Sequence, residues 1–155
     1  MYYSGSFGLL LIRCIVGFVM FYHGSQKLFG WFDGGGMEGF IANVGQMGLV
    51  PAAWGIQPKY LAYAAAISEF GGGILLMLGF ATRFAAVFVA ATMAVAAFKV
   101  HGHAFALSTK PVPGMEYALT LMIVAIGLVF TGPGAFAMDR MFARRKTVAA
   151  PPKKK

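Results

Sequence analysis

Four long runs of apolar residues, separated by shorter polar segments, dominate the pattern of the chain. Each run is close to the roughly twenty residues that a helix needs to cross a hydrocarbon core about 30 Å thick. The predicted spans cover residues 7–29, 60–80, 82–100 and 114–131. The first span is not typical of a cleaved signal, because Arg13 interrupts it and no side-chain cation precedes it. The pattern predicts an all-α integral membrane protein built as a four-transmembrane-helix bundle.

A further helix is predicted in the connection between the first two spans. Four apolar residues recur there at helical spacing and two helix-stopping residues follow: Met37, Phe40, Ile41 and Val44, then Gly48 and Pro51. We interpret this segment as a short interfacial helix in the first outer loop. Residues 135–145 are predicted to form a second surface helix. We assign residues 1–146 to a single membrane domain and 147–155 to a basic, disordered tail.

The composition excludes several classes of protein. Apolar residues make up 59% of the chain and charged residues 12%, against roughly a quarter charged in soluble domains. One small core could not hide so much apolar surface, so the lipid bilayer must solvate part of it. A single cysteine, Cys14, excludes an internal disulfide and a dithiol redox centre within the chain.

The net charge of +8 is concentrated at the C-terminus, where seven of the thirteen basic residues occupy the last sixteen positions. Such a tail is typical of a topology determinant lying against anionic headgroups, so we expect no nucleic-acid partner. With both termini on one side, that side collects Arg83 and the seven tail cations, whereas the other side has Lys59 and Lys110 in its loops. The excess predicts that both termini are cytoplasmic.

Arg13 and Glu69 are ionisable residues inside predicted spans, where a charge costs about 2.5 to 3.5 kcal/mol. Counted from the ends of their spans in an antiparallel pair, they differ in depth by about one helical turn. We therefore predict that they are coupled at a charged site in the bundle interior. The alternative is an ion pair that only fixes helix register. One face of the first span, which we expect to look inward, carries Arg13, Met20, His23, Gly24 and Lys27.

The predicted topology gathers more polar residues at the outer end of the bundle. They come from the ends of three spans: His23 and Lys27, then Lys99, His101 and His103, then Glu116. Histidine can pass protons near neutral pH, and an adjacent cation can hold the oxygen of a quinone or a small anion. The alternative is that Lys27, Lys99 and Glu116 only anchor helix ends at the headgroups.

Metal and haem sites are weaker interpretations of the same histidines. His101 and His103 form a nonspecific chelate pattern, and His23 with either of them could ligate haem in principle. We assign no metal ligands and expect no haem.

An ordered set of short motifs resembles the DoxX family of small bacterial inner-membrane proteins over about residues 7–140. The motifs are Arg13-x3-Gly17-x5-His23-Gly24-x2-Lys27-Leu28, Glu69-x-Gly71-Gly72, Leu78-Gly79-x2-Thr82-Arg83, and Glu116 followed by Gly132-Pro-Gly-x4-Asp139. The resemblance implies a four-helix protein of the bacterial inner membrane, in which Arg13, His23, Lys27, Glu69 and Glu116 are recurring polar positions. It also implies an association with quinone-linked sulfur oxidation or with membrane complexes that handle thiol or oxidative stress. This chain lacks the cysteine pair of some relatives.

The leading hypothesis is a membrane subunit of an oxidoreductase system that binds quinone or a similar small molecule in the outer half of the bundle, with a separate redox partner protein. We expect Lys27 to donate to a quinone carbonyl, His23 to supply a proton and Glu69 to balance the charge, which makes these three the predicted catalytic residues. The predicted ligand-binding residues are the same three with Arg13, Lys99, His101 and Glu116. The rival hypothesis is a non-enzymatic membrane scaffold or small-solute transporter.

Overall fold

The computed structural model of the protein describes residues 2–49, 55–102, 105 and 114–142, and within these ranges it contains helices and no β-strand. The helices are α1 (Tyr2–Phe29), α2 (Gly36–Gln46), α3 (Pro58–Leu78), α4 (Thr82–Val95) and α5 (Glu116–Thr131). A π-helical turn, Ala96–Val100, extends α4. The helices predicted at the four apolar runs and in the first connection are therefore confirmed.

Three of the described helical segments are long and apolar enough to cross a membrane: Gly5–Phe29, Pro58–Leu78 and Thr82–Val100. The fourth, α5, is apolar but shorter, with 16 residues. Together with the composition, these segments make the chain a multi-pass membrane protein. Residues 138–142 form a short helical turn, so the predicted second surface helix is wrong at its start, because residues 135–137 are described and are not helical. Residues 143–145 of that predicted helix, the tail 147–155, Lys110 and His103 lie outside the described residues.

The helix α3 ends two residues before the predicted boundary because Gly79 adopts a left-handed conformation, with φ of 66°. The Phe80 N–H donates to the Leu75 carbonyl at 3.0 Å, and the Gly79 N–H to the Leu76 carbonyl at 3.2 Å. This pair of bonds is the Schellman motif, which ends a helix and satisfies its last carbonyls. The chain then turns at once into α4.

The helices α1 and α3 lie antiparallel in very close contact because glycines remove side chains from their interface. A Cβ added at Gly17 would lie 2.7 Å from the Gly73 carbonyl oxygen, and one at Gly24 would overlap the Phe70 backbone. Since Glu69 precedes Phe70, this register brings it level with the last turns of α1. The other end of α3, at Gly79, lies level with Arg13.

The two sides of α1 differ as its pattern predicts. Arg13, Met20 and Gly24 are buried, and His23 and Lys27 are half-buried, so the predicted inward face is confirmed. The opposite face carries side chains that are each more than half exposed: Phe7, Leu11, Ile15 and Phe18. An exposed apolar ridge of this kind is what a lipid-facing helix presents.

Candidate functional site

A buried ion pair joins the last turn of α1 to the middle of α3. The Lys27 ammonium donates to both carboxylate oxygens of Glu69. The Glu69 side chain is 2% exposed and that of Lys27 is 27% exposed. The ammonium nitrogen also lies 5.0 Å from the centroid of the Phe40 ring on α2, within the range of a cation–π interaction. One charge pair thus connects three helices.

A cavity of about 620 Å³ lies beside this ion pair and is lined by the end of α1, the 30–35 loop and α2, α3 and α4. Its walls are mainly apolar, with Phe40, Val44, Leu61, Phe88 and Val95 among them. Small residues on α3 and α4 make the space, notably Ala64, Ala65 and Ala91. The polar groups on its wall include Lys27, Glu69, Gln26, Asn43, Thr92 and His101. An apolar cavity with a few convergent polar groups is the usual form of a small-molecule site.

The structure brings three of the predicted site residues to this cavity: Lys27, Glu69 and His101. Lys99 and Glu116 do not line it: Lys99 is exposed, and Glu116 is half-buried at the start of α5, where its N–H donates to the Phe105 carbonyl. The predicted cluster at this end of the bundle is therefore only partly assembled around the cavity.

His23 lies behind the cavity wall, where it contacts a residue that does line the cavity. Its Nδ1 is 3.1 Å from the Gln26 Oε1, and the Gln26 Nε2 donates to the Phe32 carbonyl at 3.2 Å. Gln26 thereby ties the 30–35 loop to α1. The His23 ring also meets Tyr117 of α5 edge-on, with 6.3 Å between ring centroids. Sequence reasoning missed Gln26, although its spacing of three residues from His23 places both on one helix face.

The predicted coupling of Arg13 with Glu69 is wrong. Arg13 is 1% exposed, and its two terminal nitrogens donate to the carbonyls of Pro133 and Phe136 at 2.8 and 2.7 Å. It lies at the opposite end of the bundle from Lys27 and does not line the cavity. The reason is the register of α1 against α3, which places Glu69 within reach of Lys27 and Arg13 beside Gly79.

Asp139 completes a second polar cluster at the Arg13 end, and sequence reasoning gave it no role. Its carboxylate oxygens accept from the N–H groups of Ala81 and Thr82 at 2.7 and 3.0 Å, and its own N–H donates to the Gly79 carbonyl at 3.0 Å. It therefore caps the N-terminus of α4 in place of a local side chain. The signal was present in the two motifs that contain Gly79, Thr82 and Asp139.

Among the described residues, no three His, Cys, Asp or Glu side chains come together in the way that a metal site requires. His103, one of the two residues of the predicted chelate, lies outside the described residues.

Comparison with known proteins identifies the family. The DoxX family model matches residues 8–102, more than half of the chain. The chain is 33% identical over 136 residues to a Bacillus subtilis protein named "Putative oxidoreductase CatD", covering 88% of this chain and 87% of that protein. It is 33% identical over 88 residues to "Inner membrane protein YqjF" of Escherichia coli, covering 57% of this chain and 66% of that protein. An uncharacterized Haemophilus influenzae protein is 31% identical over 138 residues, covering 88% of this chain and 92% of that protein.

No solved structure is significantly similar to the chain. The family model matches more than half of the chain, which is enough to assign the family, and the match includes most of the ordered motifs found in the sequence. The chain belongs to the DoxX family.

Proposed function

We propose that this protein is the membrane subunit of an oxidoreductase system and that it binds a quinone, or a redox molecule of similar size, in the cavity beside Lys27 and Glu69. The observation that carries the proposal is a buried ion pair on the wall of an apolar cavity of about 620 Å³. Cavities of about 300 to 1,000 Å³ are typical of small-molecule sites, and this one has the mixture of apolar walls and few polar groups that such sites share.

An ion pair that served only to fix helix register would need no cavity. Ionisable residues inside membrane spans face the bundle interior or a cavity, and they commonly mark the path of a substrate or an ion. Here the small side chains of Ala64, Ala65 and Ala91 leave open space next to the pair instead of closing it. This arrangement favours a ligand site over a purely structural one.

The proposed roles follow from the positions of the polar groups. Lys27 supplies a charge-assisted hydrogen bond to a ligand oxygen, and Glu69 balances its charge. His101 adds a polar group from the end of α4. His23 acts through Gln26, which it contacts, and not on the ligand itself. A bound quinone would supply two-electron chemistry, and the electrons would pass to or from a partner protein because Cys14 is the chain's sole thiol.

The Bacillus subtilis relative supports the reaction class, because its name describes an oxidoreductase.

We further propose that α5 is a fourth membrane crossing. Its 16 residues extend about 24 Å, and Glu116 at its start and the Gly132 turn at its end would lie near the two lipid interfaces. Four crossings would put both termini on one side, which the excess of cations there assigns to the cytoplasm, and the cavity would then open in the outer half of the bundle.

Filling the cavity tests the proposal. The full-length protein in lipid nanodiscs would be titrated with tetramethyl-1,4-benzoquinone, and its dissociation constant measured by calorimetry. Ala65→Phe places a large side chain in the cavity and is expected to weaken binding at least tenfold. Ile67→Phe adds the same ring to α3 at a side chain that is 58% exposed, and it should leave the affinity unchanged.

Thermal melting and gel filtration of both variants show whether each is folded. Folded Ala65→Phe protein with wild-type affinity would contradict the assignment of the ligand to this cavity. The absence of binding in the wild-type protein, together with solute flux through proteoliposomes, would favour the transporter hypothesis.

A further inference from the structure

Glu69 has more hydrogen-bonding capacity than its protein partners use. An ionised carboxylate has about four lone-pair positions on its two oxygens. Among the described residues, Lys27 is the only donor to Glu69. The Glu69 side chain is 2% exposed, yet it lies on the cavity wall. Each oxygen accepts one hydrogen bond from Lys27, so the carboxylate keeps further lone pairs that a donor in the cavity can use.

Lys27 has one N–H donor that Glu69 does not use. An ammonium group has three N–H donors, and the carboxylate of Glu69 receives two of its hydrogen bonds. The remaining N–H lies on a group that also packs against the face of the Phe40 ring. Because Lys27 and Glu69 both line the cavity, the pair offers a ligand there a donor and an acceptor side by side, with no net charge.

This combination discriminates between the two redox forms of a quinone. A quinone carbonyl oxygen can only accept hydrogen bonds, so it can accept one from Lys27. It cannot donate to Glu69, and its partial negative charge is repelled by the negative carboxylate. A phenolic hydroxyl accepts from Lys27 and donates to Glu69, so it satisfies both groups. The aromatic ring of either form suits the apolar walls, which include Phe40 and Phe88.

We propose that the cavity selects the reduced, hydroxylated form of its ligand, a hydroquinone or a comparable phenol, over the oxidised quinone, and that Glu69 is the residue that imposes the selection. This inference rests on the proposed function and specifies its ligand. Preferential binding of the reduced form makes reduction of the bound molecule more favourable. A tenfold preference raises the two-electron midpoint potential of the bound pair by about 30 mV.

The test compares the two forms of one compound on the full-length protein in nanodiscs. Tetramethyl-1,4-benzoquinone and its hydroquinone, the latter handled under anaerobic conditions, would each be titrated by calorimetry. We expect the hydroquinone to bind about tenfold more tightly. Glu69→Gln keeps the size of the side chain but replaces one acceptor oxygen by a donor, and it is expected to lower the ratio of the two dissociation constants to about one.

Two further variants make the result specific. Thr131→Val removes a hydroxyl of α5 that donates to the Gly127 carbonyl at 2.8 Å and does not line the cavity, and it should keep the tenfold ratio. If Glu69→Gln does not fold, the ratio would be measured in Lys27→Met/Glu69→Leu, which leaves no unpaired charge. The expected ratio for that protein is again about one.

Equal affinities, or tighter binding of the quinone, would overturn the inference and leave the proposed function in place. A tenfold ratio that persists without the Glu69 carboxylate would overturn the role of Glu69. Failure of the wild-type protein to bind either form would overturn the inference and the proposed function together.

Discussion

At the scale of single residues, the buried Arg13 and the half-buried Lys27 of α1 have different partners. Lys27 pairs with Glu69, whereas Arg13 holds the carbonyls of Pro133 and Phe136. Both cations lie on one face of α1, and Glu69 is an acid inside a neighbouring span, so the sequence permits either pairing. The register of α1 against α3 decides between them, and that register depends on which glycines meet across the interface.

Double-mutant cycles test this assignment. Lys27→Met leaves the buried Glu69 carboxylate without a partner, so we expect it to lower the free energy of unfolding by about 3 kcal/mol. Glu69→Leu should cost less, because the freed Lys27 is 27% exposed and its long stem can carry the ammonium towards the headgroups. The double variant should be more stable than the sum of the two losses predicts. Unfolding of the purified variants in detergent provides the measurement.

The control cycle pairs Arg13→Met with Glu69→Leu. Since Arg13 and Glu69 share no partner within the described part of the chain, their losses should add to within about 0.5 kcal/mol. Strong coupling in this cycle, or additive losses for Lys27 and Glu69, would contradict the pairing in the structure.

At the scale of helices, the three consecutive glycines of α3 have three different environments. A Cβ at Gly73 would lie 2.5 Å from the Phe21 nitrogen and 2.6 Å from the Gly17 oxygen, whereas a Cβ at Gly71 would meet no atom within 4 Å. Gly72 faces the side chain of Val89 on α4. Glycines in a membrane helix allow either close packing or room for a ligand, and the contacts of Gly73 are those of close packing.

The pair Gly73→Ala and Gly71→Ala separates packing from helix propensity. The first substitution forces α1 away from α3, and overpacking of this kind costs about 1 to 3 kcal/mol. The second keeps the interface and replaces glycine by a better helix former, which is worth about 1 kcal/mol in a helix interior. Detergent melting should therefore show a lower midpoint for Gly73→Ala and an equal or higher midpoint for Gly71→Ala. Equal losses in both variants would mean that the α1–α3 interface is not tight at Gly73.

The sequence predicted the helices more reliably than their contacts, and α2 illustrates the reason. The spacing of its apolar residues predicted a helix, which the structure has at Gly36–Gln46. Periodicity identifies the apolar side of a helix but not the surface that this side meets, and the cavity wall formed by Phe40 and Val44 depends on that contact. The link between Asp139 and the start of α4 was missed for a similar reason, because the capping residue lies 57 and 58 positions from the groups it caps.

At the scale of the whole molecule, the site combines parts that are far apart in the chain. Lys27 and Glu69 are 42 positions apart, and the cavity also needs α2, α4 and the 30–35 loop. The sequence identified both charged residues because ionisable groups inside apolar runs are rare and costly. It could not identify the cavity. The open space depends on small residues of different helices, such as Ala65 and Ala91, lining the same region, and only the packing of the helices brings them together.

The orientation of the bundle decides on which side of the membrane the cavity opens. We infer that orientation from the distribution of lysine and arginine along the chain. Eight of them, Arg83 and the seven at positions 140–155, fall on the side of the termini. Because cytoplasmic loops carry the excess of lysine and arginine, we expect the tail inside and the 30–35 loop outside.

In a variant without Cys14, a cysteine replacing Gly35, which is exposed in the structure, should react with an impermeant maleimide in intact cells. A cysteine replacing Ala149 should react only after the cells are permeabilised. Labelling of Ala149 with protection of Gly35 would place the cavity, and with it the exchange of any ligand, in the cytoplasmic half of the bilayer.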